Sequence, residues 1–182
     1  MTPPVVLEPA DRSHARELAS LARASRRLHR PWVYLKLHAR DWAAYLGRCR
    51  DGAVIGYLLR DPINHHLLGV INISEIVRGK FQSAYLSFYR HAAHASRGIM
   101  TAGLNLVLKD AFTLHRLHRL EANIQPQNTA SRRLVQRLGF RQEGFSPRYL
   151  KIGGRWRDHE RWAITREDWR ARRPKQSGQR NV

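Results

Sequence analysis

Residues 94–140 read HASRGIMTAGLNLVLKDAFTLHRLHRLEANIQPQNTASRRLVQRLGF, and this stretch decides the fold of the chain. Its first part predicts a loop that opens at Gly98 into an amphipathic helix from about Ile99 to Leu114. A glycine at a helix entrance allows close backbone approach, and free N–H groups there favour a bound anion. The apolar residues that recur at helical spacing predict one buried stripe, formed by Met100, Leu104, Val107, Leu108, Ala111 and Phe112.

The second part of the stretch predicts a strand followed by a shorter helix. The strand covers Arg119–Ile124 and ends in a turn through Pro126. Asn128 is a favourable N-cap for a helix that ends near Leu138, and Gly139 is a favourable stop. The stretch therefore predicts helix, strand and helix in that order, with an anion site at the entrance of the first helix.

Length and composition restrict the class of protein. A chain of 182 residues with 42% hydrophobic residues is expected to form one globular domain. No run approaches 18 apolar residues, so no membrane span is expected, and no secretory signal is predicted. Cys49 is the single cysteine, which excludes an internal disulfide and a cysteine-rich zinc site. A reducing cytoplasm is the predicted location.

The charge of the chain is unusually positive. Lysine and arginine number 33 against 14 aspartates and glutamates, a formal net charge of +19. Such an excess favours a polyanionic partner such as nucleic acid. The alternative is an arginine-rich composition in which most of these charges are simply solvated.

The remainder of the chain predicts further helices and strands around this core. The adjacent His65 and His66 point to opposite faces of a strand, and no metal site is predicted. Gly153-Gly154 predicts a hairpin turn. Helices are predicted from Asp11 to about Arg27 and from Asp41 to about Arg50, and strands at Val5–Glu8, Ala53–Leu59, His66–Glu75, Ser83–Tyr89, up to Ile152 and over Arg155–Thr165.

The order of these elements and four motifs resemble the GNAT acetyltransferases, in which loop amides hold the pyrophosphate of acetyl-coenzyme A. The family loop [QR]-x-x-G-x-[GA] falls on residues 95–100, where only Gly98 fits. The branch that acts on N-termini of ribosomal proteins, the alanine N-acetyltransferases, often has G-I-M here, then N-x-x-S and L-G-F. This chain matches these three motifs at Gly98-Ile99-Met100, at Asn128 and Ser131, and at Leu138-Gly139-Phe140. Two further matches are Tyr149-Leu150 followed by residues 154–159, and residues 68–72 followed by residues 77–79.

The resemblance implies an α/β (α+β) fold with a mostly antiparallel, twisted sheet of about seven strands between helices, splayed at the cofactor site. It covers roughly residues 5–169. One domain over residues 1–169 and a basic, disordered tail over 170–182 are therefore expected. Nothing in the sequence identifies an oligomer interface.

The resemblance also assigns the residues that bind acetyl-coenzyme A. The phosphates are expected at Ser96, Arg97, Gly98, Ile99, Met100 and Thr101, and the pantetheine arm along Leu86, Ser87 and Phe88. Asn128 would hold pantetheine polar groups, and Ser131 would give a proton to the departing sulfur. The alternative for Asn128 and Ser131 is that they are only favourable residues at the start of a helix.

The general base is less clearly marked. Some relatives have an acidic residue before the tyrosine of the Y-L motif, where this chain has Arg148. Glu75, at the end of its strand, is a candidate that acts through water. Glu121 is a second such candidate, or alternatively a structural ion-pair partner.

The acceptor groove is expected at Trp32, Tyr149 and Asp158. Trp32 belongs either to this groove or to the core. Asp158 either binds an incoming α-ammonium group or only stabilises the hairpin. The leading hypothesis is acetylation of a protein N-terminus, in particular of a ribosomal protein, with contact to ribosomal RNA through the basic surface. The alternatives are acetylation of a small amine, or a non-enzymatic module that binds ribosome or RNA.

Overall fold

A computed structural model gives the fold and describes residues 5–94 and 98–172. It contains a seven-stranded sheet in the order β1-β2-β3-β4-β5-β7-β6, in which only the pair β4-β5 is parallel. The mostly antiparallel sheet of about seven strands expected from the sequence is confirmed. The strands are β1 Val6–Pro9, β2 Val54–Arg60, β3 Leu67–Val77, β4 Ser83–Arg90, β5 Arg119–Ile124, β6 Arg141–Ile152 and β7 Arg155–Thr165.

Helices cover both faces of this sheet. The helices are α1 Ala15–Ala24, α2 Arg26–His29, α3 Ala43–Arg50, α4 Ile99–Thr113, α5 Thr129–Arg137 and α6 Arg166–Ala171. Helices α4 and α5 pack against strand side chains in one core cluster. Helices α1 and α3 pack against other strand side chains in a second core cluster. All six residues of the predicted stripe on α4 are buried. The two clusters exist because alternate side chains of a strand point to opposite faces.

The first predicted helix is interrupted in the structure. Asp11 caps a short 3-10 turn before α1, and α1 ends at Ala24, with Ser25 as its C-cap, instead of continuing to Arg27. Ser25 is fully buried, and its Oγ accepts a hydrogen bond of 2.9 Å from the backbone N–H of Ala92. The second predicted helix also begins with a 3-10 turn, so that α3 starts at Ala43 and not at Asp41.

The C-terminal part of the domain extends slightly further than expected. Helix α6 starts with a capping box between Thr165 and Asp168 and continues to Ala171. The first two residues of the predicted tail, Arg170 and Ala171, are therefore helical. Residues 173–182 lie outside the described residues. Within residues 5–94 and 98–172, no helix has the length and apolarity needed to cross a bilayer.

The parallel pair in the middle of the sheet is short. It begins at Ser83 opposite Arg119 and ends at Tyr85 opposite Glu121. Beyond this point β4 and β5 separate, which leaves the backbone groups that face each other without a partner in the sheet. This separation is the predicted splay of the sheet.

Candidate active site

The gap between β4 and β5 leads into two adjoining cavities. One, called the α3 cavity, has a volume of about 510 Å³ and is lined by Trp42, Tyr45 and Arg48. The other, called the α4 cavity, has a volume of about 390 Å³ and is lined by residues 98–101. Their shared lining residues are Trp32, Val33, Phe88, Tyr89, Asn128 and Ser131.

The α4 cavity is suited to a polyanion. Gly98 is the N-cap of the 15-residue helix α4 and has a left-handed φ of +69°, which glycine adopts without strain. The N-terminal N–H groups and the helix dipole favour negative charge at this point. Arg90, Arg133 and Arg137 also line the cavity, and its described lining contains no aspartate or glutamate.

Most of the predicted phosphate-binding residues are found at this cavity. Gly98, Ile99, Met100 and Thr101 all line it. Ser96 and Arg97 lie outside the described residues. Arg132, the neighbour of Arg133 on α5, does not line this cavity, and its guanidinium binds the carboxylate of Glu160 at 2.8 Å.

Asn128 and Ser131 lie where the two cavities meet. The Asn128 side chain accepts a hydrogen bond of 3.2 Å from the backbone N–H of Ser131, so Asn128 is the N-cap of α5. Both residues line both cavities. The capping role and a position at the reacting centre are therefore compatible, since the cap uses the backbone of Ser131 and not its hydroxyl.

The walls of the α3 cavity come from the separated strands. Leu86, Ser87 and Phe88, the residues expected to bind the pantetheine arm, line it from β4, and residues 122–124 line it from β5. Unpartnered polar groups are also present. In the part of the chain that the structure describes, the Tyr89 hydroxyl and Asn123 Oδ1 are buried without a hydrogen-bond partner. A cleft with unpaired strand edges fits the amide-containing arm of coenzyme A, and the two unpartnered polar atoms remain available to a ligand.

A chain of hydrogen bonds crosses the α3 cavity from α3 to β4. The Tyr45 hydroxyl donates to Asn72 Oδ1 at 2.7 Å, and Asn72 Nδ2 donates to Ser87 Oγ at 3.4 Å. Burial raises the pKa of Tyr45, so this phenol stays protonated and acts as a donor. Sequence patterns did not predict this series of hydrogen bonds, since Tyr45, Asn72 and Ser87 are far apart along the polypeptide.

The predicted base and the one carboxylate found in the cavity wall are different residues. Glu75 is exposed and forms an ion pair of 3.0 Å with Arg48; Arg48 lines the α3 cavity, whereas Glu75 does not. Asp41 is the single carboxylate among the described residues that line this cavity. Asp41 lies within the 3-10 turn Ala39–Trp42, and its sequence pattern predicts only a helix start.

The structure brings one of the three predicted acceptor residues to the cavities. Trp32 is partly buried and lines both. The Tyr149 hydroxyl lies 3.2 Å from that of Tyr85, outside both linings. Asp158 accepts a hydrogen bond of 2.7 Å from the backbone N–H of Arg148. This contact corresponds to the structural alternative for Asp158, because it joins β6 to β7.

Two further sequence expectations concern other groups. Glu121 is paired with Arg119 at 2.8 Å, as the structural alternative for Glu121 expected. Within residues 5–94 and 98–172, no cluster of three or more His, Cys, Asp or Glu side chains is arranged to hold a metal ion.

Comparisons with known proteins agree with a site for an acyl-coenzyme A. The chain matches the acetyltransferase (GNAT) domain over residues 5–141. It is 32% identical over 160 residues to the [ribosomal protein uS5]-alanine N-acetyltransferase of Escherichia coli K12, which covers 84% of this chain and 82% of the relative. The chain therefore belongs to the GNAT acetyltransferase family. It is an N-acetyltransferase, and acetyl-coenzyme A is its co-substrate.

Solved structures support the same fold. Mycobacterium smegmatis RimJ in complex with CoA-disulfide superposes with a TM-score of 0.83 at 28% identity, covering 92% of this chain and 84% of that chain. Spermidine N-acetyltransferase from Vibrio cholerae, in complex with CoA and spermine, gives a TM-score of 0.78 at 21% identity, covering 91% and 97%. At this lower identity the likeness shows the fold alone. The GNAT fold expected from the sequence motifs is thus confirmed.

Proposed function

We propose that this enzyme acetylates the α-amino group of a protein N-terminus, in particular that of a ribosomal protein. The relative from E. coli, which matches most of this chain, is named for an alanine of ribosomal protein uS5. The observation that carries the proposal is the charge of the α3 cavity. Its charged lining residues are Lys36, Asp41 and Arg48.

This charge distribution favours a peptide N-terminus over a polyamine such as the spermine in the Vibrio cholerae structure. A polyamine carries several ammonium groups and needs several carboxylates to bind it. The lining of the α3 cavity has the single carboxylate of Asp41 beside the cations of Lys36 and Arg48, of which Arg48 is paired with Glu75 outside the lining. A peptide N-terminus has one amine followed by neutral amides, and this cavity is therefore a better match for a peptide.

The acid–base requirement also favours an α-amine. An α-amino group has a pKa of roughly 7.7–8.0, so about a tenth of it is neutral at pH 7. A lysine amine, with a pKa of about 10.4, is neutral in less than about one part in a thousand. An enzyme whose cavity wall carries a single carboxylate can therefore use an α-amine with a weak base or a water relay.

Each part of the site has a role in this proposal. Acetyl-coenzyme A supplies the acetyl group as a thioester. Arg133, Arg137 and the N-terminus of α4 bind its phosphates, and the edges of β4 and β5 bind its amides. Ser131, at the junction of the cavities, supplies a proton for the sulfur. Asp41 or Glu75 receives the proton of the amine through water.

Acetylation of three matched peptides tests the proposal. Thiol release from acetyl-coenzyme A is followed with a peptide that has a free N-terminal alanine, a blocked twin, and a blocked twin with one lysine. Spermidine is the fourth acceptor. Turnover confined to the free α-amine is expected. Turnover of spermidine or of the lysine peptide at an equal rate would contradict the proposal.

The predicted contact with ribosomal RNA has a defined surface in this proposal. Arg16, Arg23, Arg26, Arg27 and Arg30 are all exposed on α1, on α2 and directly after α2. No aspartate or glutamate of the described residues forms an ion pair with any of these five arginines. These residues are called the basic surface. Arg26 and Arg30 contact the same small cleft as Tyr34 and Leu35, two residues that line the α3 cavity.

Salt-dependent binding tests the basic surface. A ribosomal RNA fragment is titrated with the protein and with a variant in which Arg16, Arg26 and Arg27 are replaced by glutamine. If these arginines each neutralise one phosphate, the plot of log K for RNA binding against log salt concentration becomes less steep by about 2 to 3 in the variant. Glutamine at Lys109, Arg116 and Arg155, three exposed cations elsewhere, is the control. Equal slopes for both variants would contradict RNA contact through this surface.

A further inference from the structure

We propose that Asn123 binds the amine of the acceptor through its Oδ1 and is a catalytic residue. Asn123 lines the α3 cavity, and its Oδ1 is buried without a partner among the described residues. Buried amide oxygens normally accept a hydrogen bond, so an unpartnered one in a cavity wall is a candidate to bind a donor from a ligand.

The strand register places Asn123 beside the gap. Tyr85 and Glu121 form the last pair between β4 and β5. Ser87 and Asn123 each follow two residues later, and both line the α3 cavity. Because side chains two residues apart point to the same face of a strand, Ser87 and Asn123 stand on one face, on opposite sides of the gap.

This face is opposite to that of the predicted phosphate site. Leu120, Ala122 and Ile124 alternate with Asn123 on β5 and belong to the core cluster of α4 and α5. Asn123 therefore points to the face covered by α3. A thioester that reaches the gap from the α4 cavity would be met from this face by the acceptor amine.

The neighbouring side chains leave Asn123 Oδ1 available. Arg161 is its cross-strand partner on β7. The Arg161 guanidinium lies instead against Gly144, where a Cβ would stand 2.5 Å from Nη2. Ser87 is engaged by Asn72, its own partner on β3.

The chemistry of an amide oxygen suits an attacking amine. The amine must keep its lone pair free for the thioester carbon while its N–H bonds are held. An amide oxygen accepts an N–H bond and leaves that lone pair unused. A carboxylate at the same place would favour the ammonium form, which has no lone pair and cannot attack.

Two substitutions at Asn123 test the inference. Asn123→Leu removes the acceptor oxygen and keeps similar volume; kcat/KM for the acceptor is expected to fall by about tenfold or more, the effect of losing one well-placed hydrogen bond to the reacting group. KM for acetyl-coenzyme A is expected to stay unchanged. Asn105→Leu, at an exposed position of α4, is the matched control and is expected to retain normal kinetics.

Asn123→Asp supplies a second readout that a structural role would not affect. A carboxylate beside the amine raises the pKa of the bound amine. The rise of kcat with increasing pH should therefore occur about one pH unit higher than in the unchanged enzyme. An unchanged pH profile of kcat would overturn the inference. It would also be overturned if Asn123→Leu left acceptor kinetics intact, or weakened acetyl-coenzyme A binding equally. If the Leu variant does not fold, the pH profile of the Asp variant decides.

The inference needs an amine acceptor but not a particular one. The measurements use whichever amine is turned over fastest in the four-acceptor assay. If spermidine replaces the peptide as substrate, the proposed function fails, while the role of Asn123 is still tested with spermidine.

Discussion

The ring of Tyr34 lies directly against Gly153: a Cβ at Gly153 would stand 2.4 Å from Cε2 of Tyr34. Gly153 belongs to the turn between β6 and β7, and Tyr34 to the segment 32–36 that lines the α3 cavity. The guanidinium of Arg30 lies over the same ring, 4.8 Å from its centroid. The hairpin turn and the cavity wall therefore meet at this contact, and the shape of the cavity depends on a glycine remote from it in sequence.

Gly153→Ala is expected to move this wall. Gly153 has a φ of +58°, and the added methyl group would overlap the Tyr34 ring. We expect a several-fold higher KM for the peptide acceptor, and a loss of stability of about 1 kcal/mol from the backbone. Gly154→Ala is the control, since Gly154 has a φ of +83° but open space around it. Equal effects of both variants on the acceptor KM would show that the Tyr34 contact is irrelevant.

Ser131→Ala is expected to reduce turnover without changing the fold. The cap of α5 uses the backbone N–H of Ser131, which alanine retains. If the hydroxyl gives a proton to the sulfur, kcat should fall by about 10²-fold or more. Thiol release measures kcat, and calorimetric titration with coenzyme A measures binding, which should be unchanged. A normal kcat would remove Ser131 from the mechanism.

Asp41→Asn is expected to lower kcat more than Glu75→Gln. Asp41 lines the α3 cavity, whereas Glu75 stands behind it in an ion pair with Arg48. A carboxylate in the cavity wall is better placed to receive the proton of a bound amine than one outside it. Rates of both variants are compared from pH 6 to 9 with the alanine peptide. A larger loss of kcat in Glu75→Gln than in Asp41→Asn would contradict this prediction and identify Glu75 as the base.

His29→Gln is expected to make stability less sensitive to acid. Burial lowers the pKa of His29, and its Nε2 lies 2.8 Å from the carbonyl oxygen of Arg90. The folded state therefore favours neutral His29, while the unfolded chain takes up a proton below about pH 6.5. The contribution of neutral His29 to the free energy of unfolding is therefore complete above about pH 6.5 and is lost as the pH falls below that value.

Urea unfolding at pH 7.5 and 5.5 measures this effect. The midpoint should fall less in His29→Gln than in the unchanged protein, because glutamine still donates to Arg90 but does not titrate. His115 and His159, whose pKa values burial also lowers, retain part of the acid sensitivity. An identical fall in both proteins would contradict the prediction.

Local sequence patterns were sufficient for most of the fold. The stripe on α4, the Asn128 cap and the bounds of β7 follow from periodicity and from short-range hydrogen bonding, which depend on neighbouring residues only. The break at Ser25 did not follow, since Ser25 Oγ accepts its hydrogen bond from Ala92, far along the chain, and no local pattern encodes that contact.

The candidate site was predicted less completely than the fold. Gly98, Asn128 and Ser131 carry local signatures of a helix entrance, so the motifs located them. Asn123 reads as an ordinary strand residue and Asp41 as a helix start, and their exposure to the cavity depends on packing. Tyr149 and Asp158 lie in a recognisable motif, yet their contacts are made within the β6-β7 hairpin and with Tyr85.

The sequence by itself determined the order of elements, the entrance of α4 at Gly98 and the cap of α5 at Asn128. These features arise from contacts within a few residues, whose energies depend on local residue type. Only the tertiary structure decided where β4 and β5 separate, which side chains face the gap and which polar atoms are left without partners. Those properties result from the register of strands distant in sequence, and no local pattern encodes that register.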